Sequence, residues 1–277
     1  MYKRVIVAGK GHIACEALNW LLGNYSKKLI FVLPSNGDVS TPQKWPSVTN
    51  LAKRSNVKII SNFNDFETDK DLILLSLEYD KIIDVQNFAS NALYNMHFSA
   101  LPKYRGVYTS TWPILNGEIY SGVTLHKIDS GIDTGPIIAQ EFIEISNALT
   151  AFDLYKLYQK KSSELIISWL PKIVSGEEIV TDPQIGKGSY YDRKSIDFTS
   201  FTCDFFRNAQ QVHNTFRAFI FPGYQFPNFQ NYEIIKSEIT SNLSLREPGI
   251  VIKTTPSYFE VCTLDFNVNL YTSLSKD

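Results

Sequence analysis

Residues 4–22, RVIVAGKGHIACEALNWLL, constrain the fold more than any other stretch of the chain. The apolar run Val5, Ile6, Val7, Ala8 is rich in β-branched residues and reads as a strand buried on both faces, as in a parallel sheet. Gly9 and Gly11 follow, and apolar residues then return at helical spacing through Leu22. A strand that passes through a glycine turn into a helix points to an α/β sheet with helical crossovers between parallel strands. Buried-type runs recur at LIFVL (29–33), VKII (57–60) and DLILLSL (71–77), with intervals long enough for helices. LYNMHF, SGVTLHKI and PIIAQEFIEI extend the pattern. DSGIDTG joins the last two and leaves no room for a crossover helix, so these two should pair as an antiparallel hairpin on a mostly parallel sheet.

Further along, Thr150 ahead of Asp153 is a helix-capping pattern, and Leu154, Leu157, Tyr158, Leu165 and Trp169 recur at helical spacing to about Ile173. The polar, glycine-bearing segment SGEEIVTDPQIGKGSYYDRKS then marks a boundary. Two domains are expected for a chain of 277 residues: 1–185 for the mixed sheet with helices on both faces, and 186–277 for a helix over SFTCDFFRNAQQVHNTFRAF followed by a small β-rich module.

Lys plus Arg number 27 against 28 Asp plus Glu, so no global field draws in nucleic acid or an anionic membrane. Cys15, Cys203 and Cys262 are few and far apart, which fits neither a disulfide framework nor a zinc site, and no metal is expected. No apolar run approaches the roughly 18 residues of a membrane span. A soluble, cytoplasmic protein is the expectation.

The chemistry concentrates in NMHFSALPKYRG, residues 95–106. Side chains alternate faces along a strand, so Asn95 and His97 share a side and Met96 takes the other. Pro102 confines the strand to the residues before it, which puts the pair near a carboxyl-terminal strand end, the rim where open α/β sheets bind ligands. The hairpin GVTLHKIDSGIDTGPIIAQ brings Asp129 and Asp133 back to the same rim, where Gly131 and Gly135 permit left-handed backbone. An amide, an imidazole and a carboxylate that converge suit acyl transfer to an amine. The amide and a protonated imidazole stabilise an oxyanion, the imidazole handles protons, and the carboxylate orients it and raises its basicity.

These segments, with WPILNGE between them, resemble the signature of the 10-formyltetrahydrofolate-dependent formyltransferases, the family of methionyl-tRNA formyltransferase and the nucleotide-sugar N-formyltransferases. The resemblance is strong across about residues 70–145 and diffuse over the rest of the first 180. It implies a Rossmann-like mixed sheet and places the family's catalytic triad on Asn95, His97 and Asp133. It also implies 10-formyltetrahydrofolate as co-substrate, held against Leu77, Ile82, Ile83, Asp129 and Asp133.

For the acceptor, the near-zero net charge and a C-terminal region sparse in cations disfavour a tRNA and favour a nucleotide-linked amino sugar. Candidate contacts are Lys10 in the turn GKGHIA, Glu78, Tyr79, Lys81, Lys103 and Arg105 at the rim, and Arg217, Tyr224 and Phe226 from HNTFRAFIFPGYQFPNF. Read with the resemblance, they imply formylation of a dTDP-linked 4-amino-4,6-dideoxyhexose for a surface polysaccharide of the O-antigen or lipopolysaccharide type, by a homodimer. The alternatives are a dTDP-3-amino or UDP-4-amino sugar and methionyl-tRNA. From other classes, GKGHIA suggests a nicotinamide oxidoreductase, but LIFVL ends in Pro34 and Ser35 with no acidic residue for a ribose. A non-catalytic binding protein would not need Asn95, His97 and Asp133 together.

Overall fold

The computed structural model describes residues 3–38 and 45–273. In chain order the elements are β1 (Val5–Gly9), α1 (Gly11–Asn24), β2 (Ile30–Pro34), α2 (Val48–Arg54), β3 (Lys58–Ile59), β4 (Ile73–Leu77) and β5 (Ala92–His97). Then come β6 (Arg105–Gly106), α3 (Trp112–Leu115), β7 (Tyr120–Lys127), β8 (Ile137–Glu144), α4 (Ala151–Ser175) and β9 (Tyr190–Tyr191). The chain ends with α5 (Ala209–Phe219), β10 (Asn228–Phe229), β11 (Tyr232–Leu243), β12 (Val251–Thr254), β13 (Tyr258–Val261) and β14 (Phe266–Thr272). Two compact units result, one of Met1–Gly106, Gly122–Ile143 and Leu157–Tyr190, the other of Val107–Ser121, Glu144–Lys156 and Tyr191–Asp277. The second unit thus takes in two segments that precede residue 185.

The first unit is built on a seven-stranded sheet of order β3-β2-β1-β4-β5-β7-β8. From β3 to β5 the pairing is parallel, and β7 runs antiparallel to β5. The expected hairpin is present: Lys127 N–H donates to Pro136 O while Gly122 lies against Glu141 O, so β8 returns antiparallel to β7. The apolar opening strand is fully buried, and Ile6 and Ala8 join Leu33, Phe66, Leu72, Leu74 and Leu93 in one core cluster. Gly9 has φ +152°, and a Cβ there would stand 1.8 Å from Leu77 O, so β1 and β4 close up only around a glycine. The mixed, mostly parallel α/β sheet is the one expected.

Two details differ. The intervals between β3 and β4 and between β4 and β5 hold only 3₁₀ turns, at Asn64–Phe66 and Val85–Asn87, where crossover helices were expected. Asn, Asp and Ser crowd both intervals, and Asn62 Oδ1 and Asp84 Oδ1 bind backbone N–H groups two residues on, which closes turns instead of propagating helix. In the second unit, the helix expected from about residue 200 begins only at Ala209. Asp204 accepts from Phe206 N, a local turn, and the start of α5 is set by Asn208, which accepts from Gln211 N, and by Asp265, which accepts from Ala209 N. By contrast the start of α4 follows the pattern: Thr150 Oγ1 accepts from Asp153 N, and Asp153 Oδ2 accepts from Thr150 N.

The second unit has its own core, where Ala209, Val212 and Phe216 of α5 pack on Ile234, Phe259, Val261, Val268 and Leu270. Its antiparallel sheet has the order β10-β11-β14-β13-β12, the small β-rich module expected.

Candidate active site

Sheet register sets the site. Asn95 on β5 lies beside Ser76 of β4 on one side and His126 of β7 on the other, and His97 follows two residues later on the same face as Asn95. Asp133 comes from the β7–β8 loop. Asn95 Nδ2 donates to Asp133 Oδ1 at 3.2 Å, and His97 Nδ1 lies 3.4 Å from the same oxygen. The other carboxylate oxygen, Oδ2, accepts from Gly106 N at 2.9 Å. The three residues singled out from the sequence are therefore brought together in the first unit.

Polarity at each atom follows from its partners. Tyr104 O lies 2.8 Å from His97 Nε2 and can only accept, so Nε2 carries a proton and Nδ1 is left to face Asp133. Tyr104 itself has φ +60°. The His126 ring resolves the same way. Its Nδ1 donates to Lys127 O at 2.7 Å, so its Nε2 accepts from Asn95 Nδ2 at 3.0 Å. Ser76 Oγ donates to Asn95 Oδ1 at 2.7 Å, which fixes which end of the amide is which. Burial on its own would raise the Asp133 carboxyl, but the positive charge of His97 in its protonated form and the hydrogen bond from Gly106 N–H hold it well below the ordinary carboxylate range. The site thus presents an ionised carboxylate against an imidazole, with amide N–H groups beside it, and that set can stabilise a developing oxyanion and accept a proton.

In the loop that carries Asp133, neither Gly131 nor Gly135 uses the left-handed backbone open to it; Asp133 does, at φ +53°. Asp tolerates that conformation better than most residues, and the glycines serve close packing instead. A Cβ at Gly135 would stand 1.8 Å from Lys127 O. Asp129 Oδ1 accepts from Gly131 N at 3.1 Å and from Thr134 Oγ1 at 2.6 Å, so this carboxylate shapes its own loop. Gln184, which lies in the polar segment read as a domain boundary, clamps the loop. Its Nε2 donates to Asp133 O and Gly135 O, both at 2.8 Å, while its Oε1 accepts from Arg105 Nε at 3.2 Å and Nη2 at 2.6 Å. Ser76, Gln184 and the Gly106 N–H escaped the sequence reading because a serine in a buried strand, a glutamine in a loop and a backbone amide carry no local signature.

The other expected contacts are distributed unevenly. Leu77 and Ile83 are 1% and 9% exposed, and Ile83 belongs to the apolar core cluster. Ile82 is 80% exposed. Tyr79 packs against the same core, edge-on to Phe63. Glu78 has φ +59°, and its Oε2 lies 3.0 Å from where a Cβ would stand on Gly11, beside the first turn of α1. The same Oε2 accepts from Gln159 Nε2, so this carboxylate is anchored on α4 beside the GKGHIA turn. Lys10 N–H donates to Leu77 O. Lys81 and Lys103 are exposed, and Arg105 is half-buried on Gln184.

In the second unit Tyr224 is 73% exposed and Phe226 half-buried. Arg217 corrects another expectation. It is 3% exposed, with Nη1 donating to Ser146 O and Leu149 O at 2.8 Å each and Nε to Asn214 Oδ1 at 3.0 Å. Desolvation brings its pKa down to about 10. A guanidinium spent on three internal acceptors is a structural brace, not a phosphate contact. All three cysteines are free thiols, and burial pushes Cys15 and Cys203 up to about 12. Among the described residues no group of His, Cys, Asp or Glu is arranged to hold a metal, and no helix is long and apolar enough to cross a membrane.

The sequence profile described as formyl transferase matches residues 5–170. The methionyl-tRNA formyltransferase of Clostridium novyi (strain NT) is 24% identical over 266 residues, 90% of this chain and 84% of that protein. Two solved structures are similar along the whole chain. WlaRD, a sugar 3N-formyl transferase studied in the presence of dTDP and 5-N-formyl-THF, shares 35% identity at a TM-score of 0.92 and covers 100% of both chains. The N-formyltransferase from Helicobacter canadensis, in complex with folinic acid and dTDP-3-aminofucose, shares 36% identity at a TM-score of 0.91, with 99% of this chain and 100% of that one covered.

Proposed function

The chain belongs to the formyl transferase family, and from that premise we propose that it transfers the formyl group of 10-formyltetrahydrofolate to the amine of a dTDP-linked amino sugar, with Asn95, His97 and Asp133 at the reacting centre. The convergence of Asn95 and His97 on Asp133 Oδ1 carries the reading. The likeness to two sugar N-formyltransferases over the whole chain supports the acceptor class. Both are described with 3-amino chemistry, so the 3-amino sugar has more support than the 4-amino sugar favoured from the sequence. Methionyl-tRNA is less well supported, at 24% identity and with a net charge of −1.

The transfer runs in balance as follows. The neutral amine attacks the formyl carbon, and the carbonyl π pair moves to oxygen, where the Asn95 amide N–H can stabilise it. The amine loses a proton to His97 Nδ1, and the new positive charge lies 3.4 Å from Asp133. When the intermediate collapses, the carbon–N10 bond breaks and N10 takes a proton, leaving tetrahydrofolate and a sugar formamide. Because Nε2 is held by Tyr104 O, the proton enters and leaves His97 through Nδ1.

The folate is placed against exposed Ile82, the backbone around Leu77 and Ile83, and the Asp129–Asp133 loop. Lys10, Glu78, Tyr79, Lys81, Lys103, Arg105, Tyr224 and Phe226 remain the proposed sugar-nucleotide contacts, and residues 1–185 the catalytic domain. A cytoplasmic homodimer supplying surface polysaccharide completes the reading. The test is an acceptor panel with 10-formyltetrahydrofolate, in which dTDP-3-amino, dTDP-4-amino and UDP-4-amino sugars and methionyl-tRNA are compared by mass spectrometry of products. Formamide on the dTDP-3-amino sugar at the highest kcat/KM is expected; preferential formylation of methionyl-tRNA would overturn the assignment.

A further inference from the structure

The transfer proposed above, on which this inference rests, needs the Asn95 amide to keep its N–H₂ end toward the reacting carbon. We infer that Ser76 and His126 are positioning residues that lock this amide in one orientation and polarise it. The three side chains stand in one row across β4, β5 and β7, each directly beside the next in the sheet register. Ser76 and His126 are 5% and 2% exposed. The hydrogen bonds in the row all point one way: Ser76 O–H to Asn95 Oδ1 at 2.7 Å, Asn95 N–H to His126 Nε2 at 3.0 Å, and His126 Nδ1–H to Lys127 O at 2.7 Å.

The direction matters. Lys127 O is an obligate acceptor, so it fixes the His126 tautomer, and the tautomer in turn makes Nε2 an acceptor. If the Asn95 amide turned over, its oxygen would face the lone pair of His126 Nε2 and the Asp133 carboxylate. Two acceptor–acceptor contacts in a buried site forbid that state. From the far side, the Ser76 hydroxyl bound to Oδ1 draws electron density toward the amide oxygen, which makes the Nδ2 hydrogens stronger donors. Chains of hydrogen bonds reinforce one another in this manner inside a low-dielectric interior. The second Nδ2 hydrogen, now on Asp133 Oδ1 at 3.2 Å, is the one aimed at the reacting centre. Ser76 therefore acts through Asn95, and so does His126, whose Nε2 lies nearer Asn95 Nδ2, at 3.0 Å, than Asp133 Oδ1, at 3.7 Å.

A residue that merely fills the sheet would change melting temperature and leave the Asn95 contribution intact, so the test is a double-mutant cycle. Ser76→Ala, Asn95→Ala and the double variant are compared by kcat and KM for both substrates, with thermal melts as the check on folding. Ser76→Ala alone is expected to lower kcat about tenfold, the worth of one hydrogen bond expressed in the transition state, with each KM within about twofold of wild type. In the Asn95→Ala background the same change should cost less than about twofold, because nothing remains to be positioned. His126→Phe, which keeps a ring but loses the acceptor, should show the same loss of additivity. A tenfold fall from Ser76→Ala in both backgrounds, or wild-type kcat for Ser76→Ala, overturns the inference. Wild-type turnover by Asn95→Ala overturns it too, and also removes Asn95 from the proposed transfer, a failure separable from that of the row alone.

Discussion

Replacing Asp133 by Asn removes one charge and little else, and the structure sets the size of the effect. Asp133 Oδ1 lies 3.4 Å from His97 Nδ1, the atom that gains a proton in the transfer. Two unit charges at that distance attract by about 5 kcal/mol at an effective dielectric of about 20. Part of this is offset, because the carboxamide oxygen still accepts one hydrogen bond and because a neutral group is easier to bury. A net loss of roughly 3 kcal/mol remains in the transition state, about a hundredfold in kcat. There is also a static effect. Gly106 N–H approaches Oδ2 at 2.9 Å and Asn95 Nδ2 approaches Oδ1 at 3.2 Å, so one of these donors must face the new NH₂ group. That mismatch should lower stability by about 1–3 kcal/mol. The assay is formation of tetrahydrofolate under saturating substrates across pH, with circular dichroism and folate titration as controls. Asp133→Asn should fold, bind folate and turn over about a hundredfold more slowly. A pH–rate profile of wild-type height and shape would make Asp133 a loop residue only.

Other consequences can be checked separately. Since the Asp133 carboxyl is depressed in the folded chain, its contribution to stability is complete above the unfolded carboxyl range near pH 4 and is lost as pH falls through the lower folded value. The melting difference between wild type and Asp133→Asn should therefore stay constant from about pH 8 to about pH 5 and narrow below about pH 4; a constant gap in acid would contradict this. Gln184→Glu sets an oxygen against Asp133 O and Gly135 O where an N–H₂ now donates, so it should raise the folate KM and lower kcat by about tenfold, more than Gln184→Ala does. Arg217→Met leaves Ser146 O, Leu149 O and Asn214 Oδ1 without their donor and should destabilise the chain by about 3 kcal/mol in denaturant melts, with unchanged KM for the sugar nucleotide in whatever enzyme remains folded.

Much of this was legible in the sequence because it depends on periodicity or on residue types with narrow chemistry. The buried strands announced themselves as apolar runs, Thr150 and Asp153 announced the start of α4, and Asn95 and His97 shared a face by the two-residue repeat of a strand. What stayed hidden depends on neighbours in space. Arg217 looked like a phosphate ligand because sequence shows a charge and not the carbonyls of Ser146 and Leu149 that absorb it. Glu78 stands beside the glycine turn after β1, held by Gln159 of α4, a neighbour that the spacing of the turn does not reveal. Gln184 sat in a segment whose composition reads as a domain boundary, although its amide fits two carbonyls of the Asp133 loop.

The proposed formyl transfer passes its proton through His97 at the rim of the sheet. The most direct measurement is single-turnover transfer from [¹³C-formyl]-10-formyltetrahydrofolate to a dTDP-3-amino sugar, wild type against His97→Ala, followed by the carbon resonance of the sugar formamide. Wild type is expected to convert the donor signal fully to formamide, and His97→Ala, folded by its thermal melt, to do so at least about a hundredfold more slowly, as loss of the acid–base group demands. Formamide growth in His97→Ala at the wild-type rate would contradict the account and place the chemistry elsewhere on the chain.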